Sequence, residues 1–167
     1  MTINVTKNVL SEKLLYKLKL FTRDGKAPTN VNFFTWQASI IQTSNAIFMF
    51  KLDEELREQL ALELINKGIF KKVPTKWAAN IYLMSRYSNI PWHTDENHKS
   101  TCTIYLNDKW SSDLGGYFIY QDGEELKAMY PEYNKAVWFD CPLNHTVTLS
   151  ASNAPFRETV QIFVNEE

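Results

Sequence analysis

Hydrophobic positions fall into two unlike patterns along this chain. In the first part they recur at helical spacing. Leu14, Leu15 and Leu18 share one face of a segment that Ser11 can cap. Asp53 opens a stronger case, an N-cap aspartate followed by Glu54 and Glu55 in the first turn, where acidic side chains complement exposed amides. Leu56, Leu60 and Leu64 then fall at i, i+4 and i+8, with Leu52 just outside and Gly68 as the stop. That stripe predicts a helix packed on a sheet, with a partner-binding groove as the competing reading.

From about Trp77 onward the period shortens to two. Residues 77–84, 101–107, 117–121, 126–129, 136–139, 146–149 and 156–164 are rich in β-branched and aromatic side chains and read as strands. Asn89-Ile90-Pro91, Gly115-Gly116, Asp122-Gly123, Tyr130-Pro131 and Cys141-Pro142 separate them as turn signals. Such spacing predicts a mainly β sandwich or jelly roll, with the early helices buttressing one face. No internal repeat, linker or low-complexity tract interrupts it.

Composition changes this picture little. A chain of 167 residues, 44% hydrophobic and 22% charged, fits a single domain, 1–167, with its own core. A net charge of −1 offers no global argument for nucleic acid or an anionic membrane as partner. Cys102 and Cys141 lie far apart without C-x-x-C spacing and read as reduced residues. The N-terminus lacks a signal-peptide pattern, and no stretch approaches the roughly 20 apolar residues of a membrane span. These features lead to the expectation of a cytoplasmic protein with no membrane partner.

The candidate chemistry sits among the strands. His93 and Asp95 are two residues apart, so in extended chain both point to one side and can reach one metal ion. His145 lies fifty residues beyond Asp95, just before a strand. Two imidazoles and one carboxylate leave three open positions on iron(II), enough for a chelating 2-oxo acid and dioxygen. A surface histidine beside a turn aspartate, and a strand-edge His145, are the plainer alternatives. His98, in a polar loop, reads as solvated.

Arg157 opens the last strand, where alternation sets Arg157, Thr159, Gln161 and Phe163 on one face and Glu158, Val160 and Ile162 on the other. An inward arginine demands an anion, and the distal carboxylate of 2-oxoglutarate would serve in a bidentate pair. An exposed arginine paired with a surface glutamate is the competing account. Tyr105 could give the same carboxylate a second donor, or be a core tyrosine. Trp92, Trp110, Tyr87 and Tyr117 could line an entrance, although core packing suits most of them better.

Tyr82, Trp92-His93-Thr-Asp95, Tyr105-Leu-Asn-Asp-Lys-Trp110, Gly115-Gly116-Tyr-Phe, Ala136-Val-Trp-Phe-Asp, Asn144-His145-Thr-Val147 and Arg157-Glu-Thr159 follow one another in order. Together this run, roughly 77–164, resembles the Fe(II)/2-oxoglutarate-dependent oxygenase superfamily, in its prolyl 4-hydroxylase-like branch. The resemblance implies a double-stranded β-helix core (about 77–164) with helical support (about 1–70). It implies iron at His93, Asp95 and His145, and 2-oxoglutarate held by Arg157 and Tyr105, with Tyr82 near the co-substrate and Thr159 beside the anchor. The cofactors implied are Fe(II), 2-oxoglutarate and O2, with ascorbate as a candidate reductant. Gly115-Gly116 would let the next strand start close to the site. The gap from His145 to Arg157 is a few residues longer than in the oxygen-sensing prolyl hydroxylases. A prolyl residue in a peptide or protein is the first substrate expectation. A free amino acid or other small molecule follows, then nucleic-acid demethylation, a zinc hydrolase and a silent metal-binding module.

Overall fold

The computed structural model describes residues 3–23, 32–33 and 46–166. Its elements are β1 (Ile3–Lys7), α1 (Glu12–Arg23), β2 (Asn32–Phe33), β3 (Ile47–Lys51), α2 (Glu54–Asn66), β4 (Lys76–Met84), β5 (Ile90–His93) and β6 (Ser100–Tyr105). They continue with β7 (Phe118–Asp122), β8 (Glu125–Met129), β9 (Lys135–Asp140), β10 (His145–Val147) and β11 (Arg157–Glu166).

The helices form where the capping chemistry places them. Leu56 N donates to Asp53 Oδ1 at 2.8 Å, and Leu14 N to Ser11 Oγ at 3.3 Å. Gly68, at φ +72°, closes α2, with Gly68 N donating to Ile65 O and Ile69 N to Leu64 O. The apolar stripe does pack on a sheet: Leu56, Leu60 and Leu64 join Leu14, Leu15 and Leu18 against Ala79, Ile81, Ile104, Val160 and Ile162. Full burial of such side chains is the main stabilising term, about 1.5–3 kcal/mol each.

Two antiparallel sheets make the jelly roll. The major sheet runs β1-β9-β6-β11-β4-β3-β2 and the minor sheet β5-β10-β7-β8. One face of the major sheet meets the helices; its other face meets the minor sheet. Strict alternation along β11 therefore sends Val160 and Ile162 into the helix-side core and Arg157, Thr159, Gln161 and Phe163 into the space between the sheets.

Four strands depart from the sequence expectation. β1 pairs with β9 and β3 with β4, so residues before 70 contribute strands as well as helical support. β5 begins at Ile90, inside a segment read as a turn. Pro91 is tolerated because β5 is an edge strand, where a missing amide breaks no ladder. The expected strand at 146–149 instead covers His145–Val147. Beyond it the chain bends: Ser150 N donates to Ser88 O at 3.1 Å, Tyr87 N to Ser150 O at 3.2 Å, and Gly115 bridges Ser150. This pinned excursion accommodates the long gap between His145 and Arg157.

Candidate active site

β5 and β10 pair antiparallel with His93 directly opposite His145. Alternation turns Trp92 outward and His93 inward, and Asp95 follows just past the strand end. One ligand atom from each of His93, Asp95 and His145 lies within 4.8 Å of the others. His93 Nε2 is 3.7 Å from Asp95 Oδ1, and His145 Nε2 is 3.7 Å from Asp95 Oδ2.

The remaining imidazole nitrogens settle the tautomers. His93 Nδ1 lies 2.8 Å from Pro91 O, and His145 Nδ1 lies 2.8 Å from Leu143 O. A nitrogen facing a carbonyl must carry the proton, which leaves both Nε2 lone pairs directed at the space beside Asp95. Burial, together with His93, lowers the pKa of His145 and favours its neutral, ligating form. Phe118 and Phe139 flank that ring at 5.2 and 5.3 Å between centroids. Two imidazole nitrogens and one carboxylate oxygen, with coordination positions left over, fit iron(II).

His98 is not a solvated loop residue. Its Nδ1 lies 2.7 Å from Asn165 Oδ1 and its ring 4.5 Å from Phe163, so it fastens the loop after Asp95 to β11. It stands apart from the His93, Asp95 and His145 cluster.

Arg157 lines the same cavity and is 3% exposed. Its Nε donates to Gly116 O at 3.1 Å, Nη1 approaches Met84 Sδ at 3.3 Å, and Cζ sits 5.2 Å from the Tyr105 ring centroid. Among the described residues no carboxylate pairs with this guanidinium. Burial lowers its pKa, opposed only by Tyr105. The Tyr105 hydroxyl is buried beside this guanidinium and, among the described residues, has no other hydrogen-bond partner. A dry cation beside an under-satisfied hydroxyl is the environment a small carboxylate would complete.

Tyr82 and Thr159, paired across β4 and β11, line the same cavity. Burial, and then the Asp95 charge, pushes the Tyr82 phenol up to about 12, so it remains a donor. Tyr105 lies opposite Thr159 on β6 and packs behind the lining residues Phe118 and Phe139, together with Val137. Gly115 and Gly116 behave as expected of a close approach. A Cβ on Gly115 would come within 2.2 Å of Leu149 O, and one on Gly116 within 3.0 Å of Arg157 Cδ.

Several features were beyond sequence reasoning. Met84 and the Gly116 carbonyl hold Arg157, and Thr103 Oγ1 donates to Gln161 Oε1 at 2.6 Å in the cavity wall. Gln161 was placed on the correct face by alternation, but its partner depends on strand pairing. Core packing fails for Trp92 and Tyr87, which are 46% and 47% exposed. Trp110 Nε1 donates to Gly115 O and the Tyr117 hydroxyl to Ser112 O, so both brace the Gly-Gly turn region.

Known proteins supply an independent reading. A family model described as the 2OG-Fe(II) oxygenase superfamily matches residues 77–165. No curated protein sequence matches significantly. Among solved structures, a Pseudomonas putida prolyl-4-hydroxylase superposes with TM-score 0.75 at 15% identity, covering 98% of this chain and 92% of that one. A Trichoplax adhaerens prolyl hydroxylase, in complex with a hypoxia inducible factor oxygen degradation domain peptide fragment, gives 0.77 at 12%, covering 98% and 83%. A non-heme alpha ketoglutarate dependent carbocyclase from nogalamycin biosynthesis gives 0.66 at 13%, covering 98% and 79%. At these identities the superpositions establish the double-stranded β-helix fold. The family match spans more than half of the chain, and the protein belongs to the 2OG-Fe(II) oxygenase superfamily.

Proposed function

We propose that this oxygenase hydroxylates a C–H bond, with a prolyl residue in a peptide or protein as its first substrate class. The family uses Fe(II), 2-oxoglutarate and O2. In our reading His93, Asp95 and His145 hold the iron, Arg157 takes the distal carboxylate of 2-oxoglutarate, and Tyr105, Tyr82 and Thr159 complete the co-substrate pocket. The observation that carries this reading is the buried Arg157, with no carboxylate partner among the described residues, in the wall of the cavity that the His93, Asp95 and His145 cluster also lines.

Bound iron(II) supplies the oxygen activation that couples 2-oxoglutarate decarboxylation, to succinate and carbon dioxide, with C–H hydroxylation. The chain contributes the rest. Pro91 and Leu143 carbonyls orient the two imidazoles, and Phe118 and Phe139 keep water from His145. Arg157 aligns the co-substrate along the cavity, and the protonated Tyr82 offers it a donor. The apolar walls at Ile90, Val147 and Phe163 exclude solvent. A zinc hydrolase or a silent metal-binding module would leave the buried Arg157 without a purpose.

We place residues 1–167 in one oxygenase domain, with β1, β3 and the helices supporting the jelly roll. Two free cysteines suit a cytoplasmic setting. Among the described residues no helix is long and apolar enough to cross a membrane. A small-molecule substrate is the second reading, motivated by the similarity to the carbocyclase.

The test combines iron(II), 2-oxoglutarate and oxygen with prolyl peptides and a panel of free amino acids. Succinate release together with a mass gain of one oxygen on a peptide proline is the expected result. Oxygen transfer to a free amino acid, with all prolyl peptides inert, would replace the first substrate class by the second.

A further inference from the structure

Arg157 has to be held as well as filled, and it occupies a weak place in the fold. It is the first residue of β11, where strand ends fray. On the β4 side it pairs with Met84, but on the β6 side the ladder stops at Thr159 opposite Tyr105, because β6 ends there. Continuing that register would set Asn107 opposite Arg157 and leave the amide of Glu158 and the carbonyl of Phe156 needing partners.

Asn107 supplies both from its side chain. Glu158 N donates to Asn107 Oδ1 at 2.8 Å, and Asn107 Nδ2 donates to Phe156 O at 2.8 Å. The two bonds bracket Arg157 in the sequence. They also fix the carboxamide orientation, since only oxygen can accept from the amide and only nitrogen can donate to the carbonyl. Leu106 N donates to Glu158 O at 3.0 Å, completing the backbone contact beside the clamp.

We infer that Asn107 is the positioning residue of the co-substrate anchor: its carboxamide extends the β6–β11 ladder by one step and thereby holds the Arg157 guanidinium in register with the cavity. This rests on the reading of Arg157 as the 2-oxoglutarate anchor. Asn107 does not touch the co-substrate. It acts through the backbone on both sides of Arg157, whose own side chain is steadied by the Gly116 carbonyl, the Met84 sulfur and the Tyr105 ring. The Tyr-Leu-Asn segment is then one unit, with Tyr105 under the guanidinium and Asn107 clamping its backbone.

The test titrates 2-oxoglutarate calorimetrically into manganese(II)-loaded wild type, Asn107→Ala, Asn107→Asp and Arg157→Ala, and measures manganese affinity and Glu158 amide exchange in each. Loss of two ordinary hydrogen bonds from the anchored state weakens 2-oxoglutarate binding by roughly tenfold in Asn107→Ala. Manganese affinity stays at the wild-type value while exchange at the Glu158 amide accelerates. Asn107→Asp keeps the acceptor for Glu158 N but meets the Phe156 carbonyl with a second acceptor, so it recovers part of the loss. If Asn107→Ala does not fold, Asn107→Asp carries the same comparison. Unchanged 2-oxoglutarate affinity in a folded Asn107 variant, or an equal loss of manganese affinity, overturns the clamp. If Arg157→Ala also binds 2-oxoglutarate normally, the anchor reading itself fails; if only Arg157→Ala is impaired, the clamp alone fails.

Discussion

Replacing Arg157 by methionine pulls folding stability and co-substrate binding in opposite directions. The guanidinium is 3% exposed, has no carboxylate partner among the described residues, and has its pKa lowered by burial. Methionine has a similar reach and leaves no charge to desolvate, although it forfeits the Nε bond to Gly116 O at 3.1 Å. Exchanging buried ionic groups for apolar side chains of similar volume is often neutral or stabilising, by up to about 4 kcal/mol, and the lost bond returns about 1 kcal/mol of any gain. We expect the metal- and ligand-free variant to melt a few degrees above wild type, at about 2–4 °C per kcal/mol for a chain of this size. Binding moves the other way. Losing a charge-assisted pair from a dry pocket typically costs about 2–5 kcal/mol, a factor of roughly thirty to several thousand in affinity. The assay is thermal unfolding of manganese(II)-loaded protein with and without 2-oxoglutarate, where ligand raises the midpoint only if it binds the native state. Wild type should show a 2-oxoglutarate-dependent rise and Arg157→Met should not. Arg157→Lys should recover part of it, because an ammonium restores charge without the planar fork. A full 2-oxoglutarate shift in Arg157→Met would refute the anchor assignment.

His93→Ala and His145→Ala should abolish 2-oxoglutarate turnover and keep the fold, whereas His98→Ala should keep metal binding and lose only the local fastening to Asn165 and Phe163; iron titration and turnover on the three variants separate these outcomes. Gly116→Ala pushes a Cβ to within 3.0 Å of Arg157 Cδ and 3.2 Å of Trp110 while Gly116 sits at φ +68°, so 2-oxoglutarate affinity should fall before stability does. Gly115→Ala meets Leu149 O at 2.2 Å, backbone that cannot yield, so reduced soluble expression and a lower melting midpoint are expected there. The pKa of His145 is lowered in the folded metal-free protein, so the unfolded chain binds the proton more readily. Its contribution to stability is therefore present above about pH 6.5 and declines as pH falls below that value. Urea midpoints of metal-free wild type should drop more steeply with acidification than those of His145→Asn, and parallel profiles would contradict the burial assigned to this ring.

Local periodicity was legible without coordinates because it depends only on the backbone. Side chains two apart in extended chain share a face, which sufficed to group His93 with Asp95 and Arg157 with Thr159 and Gln161. Asp53, Ser11 and Gly68 announced the helix ends because capping is a contact within one turn. What pairs with what is a long-range choice, and there the sequence was silent or misleading. Pro91 marked a turn by composition, yet an edge position makes it part of β5, and the pairing of β5 with β10 is what sets His93 opposite His145. Ile3–Lys7 and Ile47–Lys51 are short runs whose strand character comes from β9 and β4 beside them. His98 looked like solvent-facing polar chain until β11 brought Asn165 and Phe163 against it. The burial of Arg157 without a carboxylate is likewise a tertiary fact. Alternation decides which face a side chain occupies, but only the packing of one sheet on another decides whether that face is dry.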